Sequence, residues 1–106
     1  MGGYSSVYIF LDDTRDPDWS IIPPGANVFI FRNYKSVVAF IESSCDRSTK
    51  ITLDLDHDLG SKKTGYDFCK WLVKNNWRGA FRIHSQNPVG AKNMRQMLLH
   101  YGWVEI

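Results

Sequence analysis

A chain of 106 residues, 43% hydrophobic and 23% charged, is sized for one domain with one core, and folding hides roughly two-thirds of the surface of such a chain. The composition excludes the disordered and collagen-like classes, and no apolar stretch approaches the ~20 residues that span a bilayer. The net charge of +2 is too mild to argue for nucleic acid by itself. Basic residues do gather locally, at Lys62 and Lys63, at Lys70, Lys74 and Arg78, and at Lys92 and Arg95. Those groups fit either solvated helix faces or a rim that faces phosphate.

The chain opens on Met1-Gly2-Gly3-Tyr4-Ser5-Ser6, read as a flexible leader in preference to a myristoylation signal. Val7 to Leu11 is a β-rich apolar run that ends abruptly in Asp12-Asp13, as a strand of a parallel sheet buried on both faces would. Pro17, Pro23, Pro24 and Gly25 make residues 14 to 26 a loop. Val28 to Phe31 is a second strand. Tyr34, Val37, Val38 and Ile41 then fall at i, i+3, i+4 and i+7, the apolar stripe of a helix.

Ile51 to Leu55 is a third strand running into Asp56-His57-Asp58, followed by a basic loop over residues 60–64. A second helix is expected from Gly65 to about Asn76, with Phe68, Cys69, Trp71 and Leu72 on its apolar side. Phe81 to His84 is a fourth strand, followed by the loop Ser85-Gln86-Asn87-Pro88. Met94, Met97, Leu98 and Tyr101 give a third helix, which Gly102 stops, and Trp103 to Ile106 is a closing strand. Cys45 and Cys69 lack metal-ligand spacing, Cys69 reads as a small buried hydrophobe, and without a disulfide framework or signal peptide a reducing cytoplasm is expected. Strands alternating with helices predict a single α/β domain over 1–106 with a parallel sheet and right-handed crossovers.

In such a sheet the carboxyl ends of all strands share one edge, where ligands bind in open α/β folds. Asp12, Asp13, Asp56, His57, Asp58, His84, Ser85 and Asn87 all sit at strand ends, so they are expected to converge. Neighbouring carboxylates repel and need a counter-charge. Mg²⁺, or Mn²⁺, held by Asp12, Asp13 and Asp56 would supply it, whereas capping of nearby amides would explain the same residues without an ion. His57 or His84 could transfer a proton near neutral pH, and each fits a structural role equally well. Ser85, Asn87, Arg15 and Lys92 could grip phosphate oxygens, with the amides around Gly90 and Ala91 as an anion site at a helix start. The place of Asp54, on the strand itself, stays open.

These residues carry a resemblance. Leu11-Asp12-Asp13 and Leu53-Asp54-Leu55-Asp56-His57-Asp58-Leu59-Gly60 resemble the acidic pair and phosphoacceptor strand of response-regulator receiver domains, with Asp56 in the acceptor place. Thr64-Gly65-Tyr66-Asp67 resembles the turn that opens the next helix, and Ser85 the Ser or Thr that ends the fourth strand. Together with Asp12-Asp13-Thr14-Arg15-Asp16-Pro17 and His84-Ser85-Gln86-Asn87-Pro88, these motifs are more closely similar to a divergent family of bacteria and their phages, the cyclic-phosphate-processing receiver domains.

The resemblance implies a three-layer flavodoxin-like or receiver-like fold with about five mostly parallel strands, the first crossover helix being replaced by the Pro-rich loop. It implies metal-dependent hydrolysis or binding of a phosphate ester, such as a cyclic phosphate at an RNA end or a cyclic nucleotide. The Lys that follows the fifth strand of a typical receiver has no counterpart up to Ile106, which argues against ordinary phosphorylation signalling. A reading from another class is a non-catalytic module that binds a protein partner, such as a phage inhibitor of host defence. Exposed Trp19, Trp77 and Trp103 would suit such a surface, and core packing is the alternative place for these tryptophans. Asp54-Leu55-Asp56 also resembles a haloacid-dehalogenase motif, but such enzymes need a longer chain.

Overall fold

The computed structural model describes residues 3–106. Five strands, β1 (Ser6–Leu11), β2 (Val28–Phe31), β3 (Lys50–Leu55), β4 (Ala80–Ile83) and β5 (Val104–Glu105), form one sheet in the order β2-β1-β3-β4-β5. Every neighbouring pair is parallel. Three helices connect them, α1 (Tyr34–Ser44), α2 (Gly65–Lys74) and α3 (Pro88–His100). No helix among the described residues is long and apolar enough to cross a membrane.

The strand order dictates which face each connection covers. From β2 to β3, β3 to β4 and β4 to β5 the chain steps across the sheet in one direction, so right-handed crossovers put all three helices on one face. The step from β1 to β2 runs the opposite way and must cross the other face. There the chain has residues 12–27, a loop with one 3₁₀ turn at Trp19–Ile21, as the prolines require. The third layer is therefore loop.

Strand alternation sorts the side chains between these faces. Val7, Ile9 and Leu11 of β1, Ile51, Leu53 and Leu55 of β3, and Phe81 of β4 meet Val37 and Ile41 of α1, Phe68, Cys69 and Leu72 of α2, and Met94 and Leu98 of α3 in one core. The intervening residues Tyr8, Phe10 and Asp54 point to the loop face, and all three are buried.

Local chemistry explains where the helices begin. The Asn33 side chain caps α1 through the Ser36 amide, and Thr64 and Asp67 close a reciprocal capping box on α2. Asn87 caps α3, with Pro88 in the first turn where its missing N–H costs nothing.

Several expectations shift. Tyr101 follows α3 as its C-cap and is exposed, so the α3 stripe is Met94 and Leu98 with Met97 half-buried. The second helix ends at Lys74, because Asn76 takes a left-handed φ of 60°. His84 follows β4, and the last strand contains only Val104 and Glu105. Trp103 is 2% exposed and packs in the core, which removes it from any partner surface. The leader expected over Met1–Ser6 lies in part outside the described residues. Within them, the Tyr4 amide donates to the Ser44 carbonyl, its ring packs on Phe29 and Phe40, and Ser6 already belongs to β1.

Phe81 is fully buried where β4 meets the helices. Phe81→Ala is expected to cost about 3–5 kcal/mol, the usual penalty of a large core cavity, as measured by urea denaturation.

Candidate functional site

The sheet register builds the site. Leu11 pairs with Leu55 and Leu55 with Ile83, so the next residues, Asp12, Asp56 and His84, emerge side by side. The ladder continues through them: the Asp12 amide donates to Phe31, the Asp56 amide to Leu11 and the His84 amide to Leu55. Three groups separated by up to 72 positions thus meet at one edge.

Asp12 is the most enclosed of these groups, with no exposed surface. Its Oδ1 accepts from the Thr14 amide at 3.0 Å and the Arg15 amide at 2.8 Å. Its Oδ2 accepts from Arg15 Nε at 2.9 Å and faces His84 Nε2 at 2.9 Å. Burial alone would push this carboxyl group up, but the two amides, His84 and the Arg15 charge outweigh it and hold its pKa below 3.8. Asp12 is thereby saturated with donors.

His84 is caught between two carboxylates. Nδ1 lies 2.6 Å from Asp54 Oδ1 and Nε2 lies 2.9 Å from Asp12 Oδ2, while the ring stacks on Phe10 at 4.8 Å and 1°. Only the imidazolium can donate to both. Burial lowers the pKa of His84, yet Asp54 and then Asp12 raise it above 6.5. Behind it the Tyr8 hydroxyl donates to Asp54 Oδ2 at 2.7 Å. Burial and that carboxylate push the phenol well above its ordinary range. A continuous chain, Tyr8–Asp54–His84–Asp12, buried but for the half-buried His84, therefore runs from the loop face to the edge, and it gives Asp54 its place.

Asp13 and Asp56 are less committed. Asp56 Oδ1 accepts from the His57 amide at 2.8 Å, and its Oδ2 lies 3.6 Å from Arg15 Nη2. The Asp13 carboxylate accepts no hydrogen bond among the described residues. One oxygen each from Asp12, Asp13 and Asp56 fall within 4.8 Å of one another. Gly60 closes the loop over Asp13 at φ +66°, where a Cβ would come within 2.9 Å of Asp13 Oδ2. A 430 Å³ cleft opens here, lined by Asp13, Thr14, Arg15, Asp56, Asp58 and Gln86, with Gly60 at its edge. The more apolar hollow of 370 Å³ around Ile21, Pro23 and Ile106 lies at the amino ends of the strands, away from these carboxylates.

His57 has a different setting. Its Nδ1 lies 2.9 Å from Asp58 Oδ1, and Nε2 makes no hydrogen bond among the described residues. The His57 contact holds the Asp58 carboxyl group below its ordinary value. The ring lies flat on the first turn of α3 at Gly90, where any Cβ would come within 2.4 Å of it.

The remaining expected phosphate ligands divide. Arg15 lines the cleft. Asn87 spends its Oδ1 on the Gly90 amide and turns its amide group toward Asp58 and His57. Ser85 Oγ accepts from the Asn87 amide. Lys92 is exposed on α3 and does not line the cleft. The Gly90 and Ala91 amides are taken by Asn87, so they do not form an open anion site. Gln86, Tyr8 and Arg32 were not singled out by sequence. Arg32 holds the Asp12 and Arg15 carbonyls and the Asp16 carboxylate, and so pins the turn. The strand alternation of Tyr8 with Asp54 was a usable signal for the chain behind His84.

The His84 and Asp12 shifts set a pH window. The raised His84 pKa contributes stability that is fully present below 6.5 and is lost as pH rises through the folded value. The depressed Asp12 pKa contributes stability present above 3.8 and lost as pH falls through its folded value. Urea denaturation from about pH 2 to 9 is expected to show both limbs, the acid one below 3.8, and His84→Gln is expected to flatten the alkaline one.

The model of one protein family, described as the cyclic-phosphate processing receiver domain, matches residues 7–100. No curated protein and no solved structure matches the chain. The matched span runs from the first strand through the last helix and includes every group at the acidic edge, so the chain belongs to the family of cyclic-phosphate-processing receiver domains.

Proposed function

We propose that the acidic edge holds one divalent cation, Mg²⁺ or Mn²⁺, and that the protein hydrolyses a phosphate ester there, a cyclic phosphate of an RNA end or of a nucleotide. The observation that carries this reading is the charge left over after the protein's own pairing. Asp12, Asp13, Asp54 and Asp56 are four carboxylates, and the cations bonded to or facing them are the Arg15 guanidinium and the His84 imidazolium. Two negative charges remain, close together at Asp13 and Asp56, and hard oxygen donors of this kind suit Mg²⁺.

Asp13 and Asp56 are the direct ligands in this reading. Asp12, whose oxygens are already engaged and which has no exposed surface, takes part by giving up one bond. The bound ion would supply polarisation of the phosphate and charge neutralisation. The protein's own groups do the rest. Arg15 offers its fork to phosphate oxygens. The two histidines separate by their surroundings: His84 has no free nitrogen, so it orients Asp12, while His57, next to the lining residues Asp56 and Asp58 but not itself lining the cleft, leaves Nε2 unpaired among the described residues with Asp58 fixing its ring. In hydrolysis, His57 takes the proton of the attacking water as its oxygen bonds to phosphorus. One ring P–O bond breaks, the released oxygen takes a proton from solvent water, and His57 returns its proton to solvent, so that one water is consumed in all.

A second reading, a module that docks on a protein, draws on the apolar residues left exposed about the loop face, among them Trp19, Ile21, Val104 and Ile106.

Titration with Mg²⁺, followed by tryptophan fluorescence, is expected to saturate, and Asp13→Asn or Asp56→Asn to weaken binding at least about tenfold, the loss of one charged contact. Unchanged affinity in both variants overturns the metal site. His57→Ala is expected to lower hydrolysis of a 2′,3′-cyclic nucleotide by about 10²–10⁴-fold, the usual contribution of a general base, with Mg²⁺ binding retained.

A further inference from the structure

The turn after β1 sends Arg15 back over the acid cluster. Because Asp12 Oδ1 accepts both the Thr14 and Arg15 amides, the chain reverses within three residues. Arg15 Nε then reaches Asp12 Oδ2 at 2.9 Å, and Nη2 extends to Asp56 at 3.6 Å and the His84 carbonyl at 3.3 Å. Its own carbonyl is held by Arg32, so the backbone is fixed and the side chain, 43% exposed, is the part free to swing. Among the described residues no other Lys or Arg side chain forms an ion pair with Asp12, Asp13 or Asp56. Lys63, on the neighbouring loop, lies over the Tyr34 ring.

This geometry sets two ligands in relation. A cation entering between Asp13 and Asp56 meets the like charge of the guanidinium, which already uses Asp56. To bind well it must displace that guanidinium, and the displaced fork is matched by another oxyanion, a carboxylate or a phosphate. Arg15 lines the same cleft as Asp13 and Asp56, so a phosphate group there would meet both the ion and the freed fork. We propose that Arg15 couples the two: it moves from the carboxylates to phosphate oxygens as the cation takes the carboxylates, so that each ligand tightens the other. By linkage the factor is the same in both directions. The inference rests on the metal-binding reading above and adds its regulation, since the cation alone is disfavoured and the cation with phosphate is favoured.

The test uses the full chain, with Mg²⁺ and inorganic phosphate as probes in isothermal titration calorimetry, each alone and each in the presence of the other. Arg15→Ala is expected to bind Mg²⁺ alone about tenfold tighter than the wild type, since one like charge is gone, and to bind phosphate alone more weakly. The coupling factor is expected to fall to whatever direct contact between ion and phosphate supplies. Arg15→Gln, which keeps a donor for Asp12 without the charge, is expected to behave the same way, and it decides the matter should the alanine variant fail to fold. If Mg²⁺ binds wild type and both variants equally, or the coupling factor is unchanged, the proposal is overturned while the metal site stands. If Mg²⁺ binds none of them, the metal site falls and the coupling with it.

Discussion

The constraint on which this protein depends is a carboxylate with no contact with water. Asp12 directly follows β1, a strand paired on both sides, and a buried charge there is tolerable only if donors surround it. Two amides, one guanidinium and one imidazolium do so. Each donor in turn fixes a piece of structure: the amides shape the turn after β1, Arg15 is drawn over the acid cluster, and His84 is locked to the end of β4. The same carboxylate therefore organises three segments that are remote in sequence.

His84 shows how far this ordering reaches. An imidazolium between two carboxylates needs its second partner as firmly placed as the first, and Asp54 is placed by the Tyr8 hydroxyl. Both residues lie on the sheet face that no helix covers. Burial on that face comes from residues 12–27, so the loop that replaces a crossover helix is also the cover of a charged network. Low dielectric around these groups strengthens each hydrogen bond and raises the cost of leaving any of them unpaired. That cost ties both His84 nitrogens to carboxylates, whereas His57 leaves Nε2 unpaired among the described residues.

Much of this was legible in the sequence. Every strand and helix appears near its expected place, because apolar alternation, helical stripes and caps such as Asn33, Thr64 and Asn87 are local signals. The convergence of Asp12, Asp13 and Asp56 followed from parallel strands alone. Other features are set by the turn that opens α3. Asn87 and Ser85, expected to grip phosphate, each spend an acceptor on that turn, Asn87 on the Gly90 amide and Ser85 on the Asn87 amide. Trp103 was open to either a partner surface or the core, and burial beside Gly79 decides for the core.

By itself, then, the sequence determined the order of elements, the parallel sheet and the edge at which the acids gather, since all of these follow from short-range periodicity and chain direction. Only the tertiary structure decided which acids are saturated and which are free, which histidine keeps a nitrogen, and which carboxylates Arg15 spans. Those outcomes turn in part on contacts between residues 30 to 72 positions apart, such as His84 with Asp54 and Asp12, and these partners are chosen by strand register and burial, which no local pattern of residues encodes.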